Sequence, residues 1–289
     1  MRADPDSGRP GVACWAPHAY PGAVTGTVML ICWSVAVIWA RAIFPTTLIT
    51  VSLVGCQASG PPLPAGNPSG RWQLKLDAEF DGSYLDANDW STGWLSHGIT
   101  QPVSPDELEC YNPANVKVSD GALILSLARQ TESCGGTERP YASGMVNSDG
   151  KFEFTYGFME ARIQLSGQGP LIANWPAFWA DGQNWPKDGE IDVVEGLGGR
   201  ACWHFEYPGG NPGGCAPGRF TSGWHTFGAD WEPRSITYYY DGSMVGRVKS
   251  GITSAPMYLV INYAIANAIG GPVLAPATMR ISYVRVWQH

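Results

Sequence analysis

Charge is scarce in this chain: 15% of its 289 residues are Asp, Glu, Lys or Arg, and the acids outnumber Lys and Arg by 25 to 18. With a formal charge of −7 and no basic stripe, nothing neutralises a phosphate backbone. Nucleic acid is thereby excluded as a partner, and a neutral ligand fits better. Also missing is any long stretch of apolar positions at helical spacing, which removes helical bundles from consideration. No cysteine and histidine spacing suits zinc, no glycine-rich loop follows a strand and opens a helix, and no serine sits in a nucleophile-elbow context. The expectation is chemistry without a cofactor. What the sequence has in quantity is Gly (36), Pro (23), Trp (13) and Tyr (12), the composition of many short strands joined by turns.

The first 56 residues differ from the rest. Residues 23–40, AVTGTVMLICWSVAVIWA, are nearly long enough to span a bilayer. After Arg41, the stretch AIFPTTLITVSLVG runs into Cys56 with the length of a signal-peptide apolar core. Leu53-Val54-Gly55-Cys56 resembles the lipobox of bacterial lipoproteins, in which the cysteine is lipidated and becomes the new N-terminus. The expectation is an export leader over 1–56 with lipid on Cys56, a membrane contact made only through that leader or lipid, and an extracellular or cell-surface location. A leader this long suggests a true start downstream, near Met29. Four cysteines then remain, Cys110, Cys134, Cys202 and Cys215. In an exported domain they imply two disulfides. Three connectivities are possible, and proximity favours Cys110 with Cys134 and Cys202 with Cys215.

Residues 57–70, with four prolines and little to bury, read as a semi-extended linker. From 71 to 289 there is no second boundary and no repeat, so this segment reads as one monomeric all-β domain, an antiparallel two-sheet sandwich. SITYYYDGSMVGRVKS carries Asp241-Gly242 as a hairpin turn. In GKFEFTYGFMEARIQLS the apolar parity changes at Gly157, which suggests a bulge or bend.

The chemistry concentrates in GEIDVVEG, residues 189–196. Side chains alternate along a strand, so Glu190 and Asp192 share a face and Glu195 falls on the other. Three carboxylates that repel one another and lose solvation need a functional reason. Glycoside hydrolysis supplies one: it uses two carboxyl groups, one ionised to attack or to activate water and one protonated to assist the leaving group. A third acid can hydrogen-bond the nucleophile and help keep the two pKa values apart. A β-bulge at Val193 or Val194 returns Glu195 to the face of the other two.

EIDVVE, preceded by WPAFWADGQNWPKDG, resembles glycoside hydrolase family 16 in its bulged, laminarinase-like form. The likeness covers the whole domain: EFDG with Leu85 and Trp90, ELECYN, YASGMVNSDGKFEFTYGFMEARI, GWHTFGADWEP and the closing YVRVW fall in the family's order. The resemblance implies a concanavalin-like β-jelly-roll sandwich with a concave cleft, Glu190 as nucleophile, Asp192 as its partner, Glu195 as general acid/base, and retention of configuration. It implies a polysaccharide substrate, β-1,3 or mixed β-1,3/1,4 glucan. A galactan of the agar or carrageenan type, a glucan transglycosylase, and a non-catalytic lectin-like domain are the alternatives. Many members hold a structural calcium with an aspartate where this chain has Ser282, a poor ligand for that ion.

Aromatic rings offer apolar faces to the C–H faces of pyranoses. Trp175, Trp179 and Trp185 lie just upstream of the acids, and the family position makes Trp179 the expected cleft floor. Tyr111 and Asn112 resemble residues at the cleft rim, with Glu107 and Glu109 in the same segment either binding sugar hydroxyls or facing solvent. His204 is expected to meet sugar or the acid/base, Asn262 to lie on a cleft strand, and His225 to pack within the fold.

Overall fold

The computed structural model describes residues 61–66 and 68–289. The leader over 1–56, its start and Cys56 lie outside the described residues. Apart from one 3-10 turn at Pro113–Asn115, every regular element among the described residues is a strand.

Two large sheets face one another. The first runs in the order Gly213–Cys215, Arg200–Glu206, Glu190–Leu197, Trp175–Gly182, Met257–Ala264, Met145–Asn147 and Ser91–Thr92, with Glu153–Phe154 also paired to Met257–Ala264. The second is centred on Ala277–Gln288, which pairs with Gly157–Leu165, Gln73–Glu79 and Ala122–Ala128. On its far side Gly157–Leu165 leads through His225–Glu232 to the Ser235–Tyr240 and Ser243–Val248 hairpin. Asp241 and Gly242 turn that hairpin, both at positive φ (47° and 74°), as a two-residue primed turn requires.

The core between the layers follows from strand parity. Phe178, Ile191, Val194, Phe205 and Ile261 come from the first sheet, and Met159, Ile163, Phe227, Tyr238, Tyr240 and Ile281 from the second. Each such side chain contributes about 1.5–3 kcal/mol when fully buried. The parity change at Gly157 proves to be larger than a bulge: Glu153–Phe154 pairs in the first sheet and Gly157–Leu165 in the second, so the chain crosses between layers there. Gly157 has φ 135°, and a Cβ would meet the Trp287 carbonyl oxygen at 2.3 Å, so no other residue fits the crossing.

Residues 61–66, read from sequence as linker, lie on the second sheet. Trp287 Nε1 donates to Pro62 O at 2.8 Å and Ala65 N–H donates to Glu160 Oε2 at 2.9 Å. Prolines here leave the carbonyls free to accept, which the composition alone did not show. The two disulfides are Cys110–Cys134 and Cys202–Cys215, the pairing that proximity favoured.

Candidate active site

The first sheet presents its outer face as a cleft of about 530 Å³. Strand register arranges that face in rows. Tyr258, Asp181, Glu190 and Glu206 lie opposite one another on four adjacent strands; next come Val260, Trp179, Asp192 and His204; then Asn262, Ala177, Glu195 and Cys202. The third row exists because of a bulge. Trp179 pairs with Asp192 and Phe178 with Val194, leaving Val193 as the extra residue, while on the other side two valines span what Trp203 covers alone. Both valines are buried in the core layer, and Glu190, Asp192 and Glu195 all line the cleft.

The second sheet holds this irregularity in place. Tyr240 extends its hydroxyl through the core to lie 3.0 Å from Val193 O and 2.9 Å from Cys202 O, and Tyr238 donates to His204 O at 2.5 Å. A bulge leaves a carbonyl outside the ladder, and an unpaired buried carbonyl is unfavourable. The tyrosines supply its partners.

Glu195 is fixed through both oxygens: Trp175 Nε1 donates to Oε1 at 3.1 Å, and His204 Nδ1 lies 2.8 Å from Oε2. Gly213 makes room for that histidine, since a Cβ there would overlap the ring at 1.9 Å. Asp192 hydrogen-bonds Glu190, and burial, reinforced by the charges of Glu195 and Glu190, raises the Asp192 carboxyl well above the usual range. It therefore holds a proton that Glu190 accepts. Burial also raises Glu190, with the charge of Asp181 next in size. Asp192, Glu195 and His204 have ligand-type atoms within 4.8 Å of one another; within that cluster His204 pairs with Glu195, while Asp192 hydrogen-bonds Glu190 outside it.

Trp179 forms the floor with its Nε1 donating to Asn262 Oδ1 at 2.9 Å, while Trp175, Trp185 and Asn262 line the walls. Three expectations need correction. Tyr111 is fully buried beneath the floor rather than at the rim: its hydroxyl donates to Glu107 Oε2 and accepts from Asn262 Nδ2, each at 2.8 Å. Asn112 caps the Pro113–Asn115 turn through Ala114 N and donates to Glu132, so it turns away from the cleft. Glu107 and Glu109 are buried, not solvated, although Glu107 borders the cleft. His225 packs on Phe220 and pairs with Asp241 at 2.7 Å, within the fold as expected.

Sequence reading missed Trp94, Asp181 and Glu206. Trp94 stacks on Trp179 with centroids 5.6 Å apart, and all three line the cleft. Parity was the available signal for two of them: Asp181 continues the every-second-residue series from Trp175 and Trp179, and Glu206 continues it from His204. Trp94 lies on an irregular segment where no such periodicity operates.

The buried acids have a consequence for stability. Burial pushes Asp181 up to about 7 and raises Glu107, Glu109 and Asp192 above the carboxylate range. Folded-state values above the unfolded values near 4 mean that the native chain binds more protons between the two. Stability is then fully present below about pH 4 and declines as pH rises through the folded values. The melting temperature is expected to fall between pH 5 and pH 8, by an amount corresponding to a few kcal/mol, and Glu109→Gln should flatten the slope. A melting temperature that is constant or rises over that range in differential scanning calorimetry would contradict this account.

A sandwich whose concave sheet carries hydrogen-bonded carboxyl groups in a tryptophan-lined groove is built as a polysaccharide hydrolase. Residues 106–269 match the family described as glycosyl hydrolases family 16, and the chain belongs to that family. It is 30% identical to a beta-glucanase of Rhodothermus marinus over 84% of this chain and 94% of the relative. A glucan endo-1,3-beta-glucosidase of Cryptopygus antarcticus is 28% identical over 75% of this chain and 93% of its own length. The solved laminarinase catalytic domain from Thermotoga maritima superposes with a TM-score of 0.66 at 27% identity, covering 76% of this chain and 99% of that one.

Proposed function

We propose that the chain is an exported endo-β-glucanase that cleaves β-1,3 or mixed β-1,3/1,4 glucans with retention of configuration. The carrying observation is the bulge at Val193, which sets Glu195 on the cleft face with Glu190 and Asp192. The names of the glucanase relatives point to the same substrate class. In the first step the Glu190 carboxylate attacks the anomeric carbon while Glu195 gives its proton to the departing glycosidic oxygen. The C–O bond to the leaving sugar breaks and a glycosyl ester forms on Glu190. Glu195, now ionised, then takes a proton from water, whose oxygen attacks the same carbon and releases Glu190. Asp192 steadies Glu190 by its hydrogen bond, and Trp175 with His204 keep the Glu195 carboxyl in position through both roles.

No metal enters this scheme. The family's calcium position does not suit that ion in this chain: Ser282 is the extra residue of a second bulge, and its hydroxyl accepts from the Arg162 guanidinium at 3.4 Å, so a cation already stands there. The two disulfides support export to an oxidising compartment.

The test is reducing-end release from laminarin, lichenan, agarose and carrageenan by the purified protein, with product anomers followed by NMR. Rapid appearance of β-anomeric oligosaccharides from the glucans is expected. Release from the galactans alone would redirect the assignment to those polymers. Binding without turnover, or elongation without hydrolysis, would overturn it in favour of a lectin or a transglycosylase.

A further inference from the structure

The Cys202–Cys215 disulfide joins residues 13 apart in sequence, and a bond serving stability alone could close such a loop at any register. Its place in the sheet is particular. Cys202, His204 and Glu206 share one parity on Arg200–Glu206, and Cys202 lies opposite Glu195 on one side and Cys215 on the other. The bond therefore extends the row of Glu195 to the edge strand Gly213–Cys215, which pairs with Arg200–Glu206 alone. That strand has little of its own to hold it. Gly213 must lack a side chain because a Cβ would overlap the His204 ring, and a Cβ on Gly214 would press on the Trp203 ring at 3.2 Å. A strand of three residues with two glycines has almost no side chain to pack and is weak by itself. Phe205 N–H to Pro212 O (3.0 Å) and Ala216 N–H to Ala201 O (2.9 Å) flank it, and Cys215 carries its only side chain. The strand reaches Glu195 through His204. That ring stands against Gly213, its ladder partner, and the side chain is only 21% exposed although it lies one strand from the edge of the sheet, so the glycine strand is its outer wall.

We propose that the Cys202–Cys215 disulfide is a positioning element for proton donation: by clamping Gly213–Cys215 beside His204, it keeps the imidazole on Glu195. The inference rests on the reading of Glu195 as general acid/base. Without the bond, the glycine strand is free to leave the sheet edge, and the ring gains rotamers that point into the space it vacates. Glu195 then keeps Trp175 Nε1, on Oε1, as its one remaining fixed partner. A carboxyl held through one oxygen turns about its broad terminal torsion and presents its proton to the glycosidic oxygen less often. The loss falls on the step that needs the proton. Attack by Glu190 is spared, because its partner Asp192 comes from the same strand and not from the edge. The other disulfide ties Cys110, in the second sheet, to Cys134 and offers an internal comparison.

The test compares kcat/KM, which reports the first chemical step, on phenyl and 2,4-dinitrophenyl β-laminaribioside. The phenyl leaving group needs a proton and the dinitrophenyl group departs without one. Cys202→Ala/Cys215→Ala is expected to lose about 10- to 100-fold on the phenyl glycoside and less than about threefold on the dinitrophenyl glycoside. Cys110→Ala/Cys134→Ala should lower the melting temperature and leave the ratio of the two substrates at its wild-type value. Gly213→Ala keeps the bond but displaces the ring, so it should show the same selective loss, and it serves as the second test if the double alanine variant does not fold. His204→Ala added to the disulfide variant should lower activity little further, since both changes remove one support; losses that multiply overturn the proposal. Equal losses on both glycosides from the disulfide variant or from Gly213→Ala, with Glu195→Gln selective, overturn it as well. Equal losses from Glu195→Gln itself overturn the acid/base reading on which the proposal rests.

Discussion

Glu190→Gln is expected to stop glucan hydrolysis, with kcat lower by roughly 10⁴-fold or more, because the amide cannot form the glycosyl ester. The same change should leave the fold intact and raise its melting temperature. Glu190 sits beside Asp181, Glu195 and Glu206, whose charges oppose its ionisation, and a neutral amide removes that repulsion. Dead but more stable is the combination expected of a working residue and not of a structural one. Glu195→Gln should behave differently. It loses proton donation, worth about 10²–10⁴-fold, on natural glucans, but much less on aryl glycosides whose leaving group departs unprotonated. Azide should then restore turnover by taking the place of activated water. Stopped assays on laminarin and an aryl laminarioside, paired with calorimetry, read all of this. Wild-type turnover by Glu190→Gln would remove the mechanism.

The second large effect separates one valine from two. Val193 is the residue in excess, so deleting it leaves Phe178 opposite Val194 and Ala177 opposite Glu195, and the acid still faces the cleft. The variant should fold, less stable by about 1.5–3 kcal/mol for the lost buried side chain. Its kcat should drop by about 100-fold, because a shift of about 1 Å in a reacting group is enough for that. Deleting Val193 and Val194 together changes the parity and turns Glu195 toward the core. That variant should have no activity and should be destabilised by several kcal/mol through a buried unpaired carboxylate. Circular dichroism and laminarin hydrolysis distinguish the two. An active double deletion would show that the bulge does not set the facing of Glu195.

Much of this was legible in the residues because strands obey a period of two. The alternation of GEIDVVEG exposed the parity defect, and counting located the bulge to one of two valines, the position where the register shifts. The DG turn and the cysteine pairing were equally local signals. What could not be read depends on depth. Tyr111 and Asn112 are neighbours in a segment resembling a cleft rim, but one lies beneath the floor and the other caps a turn. Glu107 and Glu109 have the residue type of a surface and the burial of a core: the loop folds back so that Val103 N–H and the Tyr111 hydroxyl donate to Glu107, and Ile265 N–H, far along the chain, donates to Glu109 Oε2. The tyrosines behind the bulge were likewise invisible: nothing in ITYYYDG says that two hydroxyls reach the strand opposite.

Those hydroxyls make the acid/base sensitive to the distance between the two layers. Tyr238 and Tyr240 act as struts of fixed length between the Ser235–Tyr240 strand and the backbone on either side of Glu195. When heat begins to part the sheets, these contacts lengthen before the strands separate, and Glu195 drifts while the bulk of the sandwich is still assembled. Catalytic power should therefore fade at temperatures where the far-ultraviolet spectrum is still native. Selection for heat tolerance would act first on the apolar filling around the struts, far from any residue that touches the polymer.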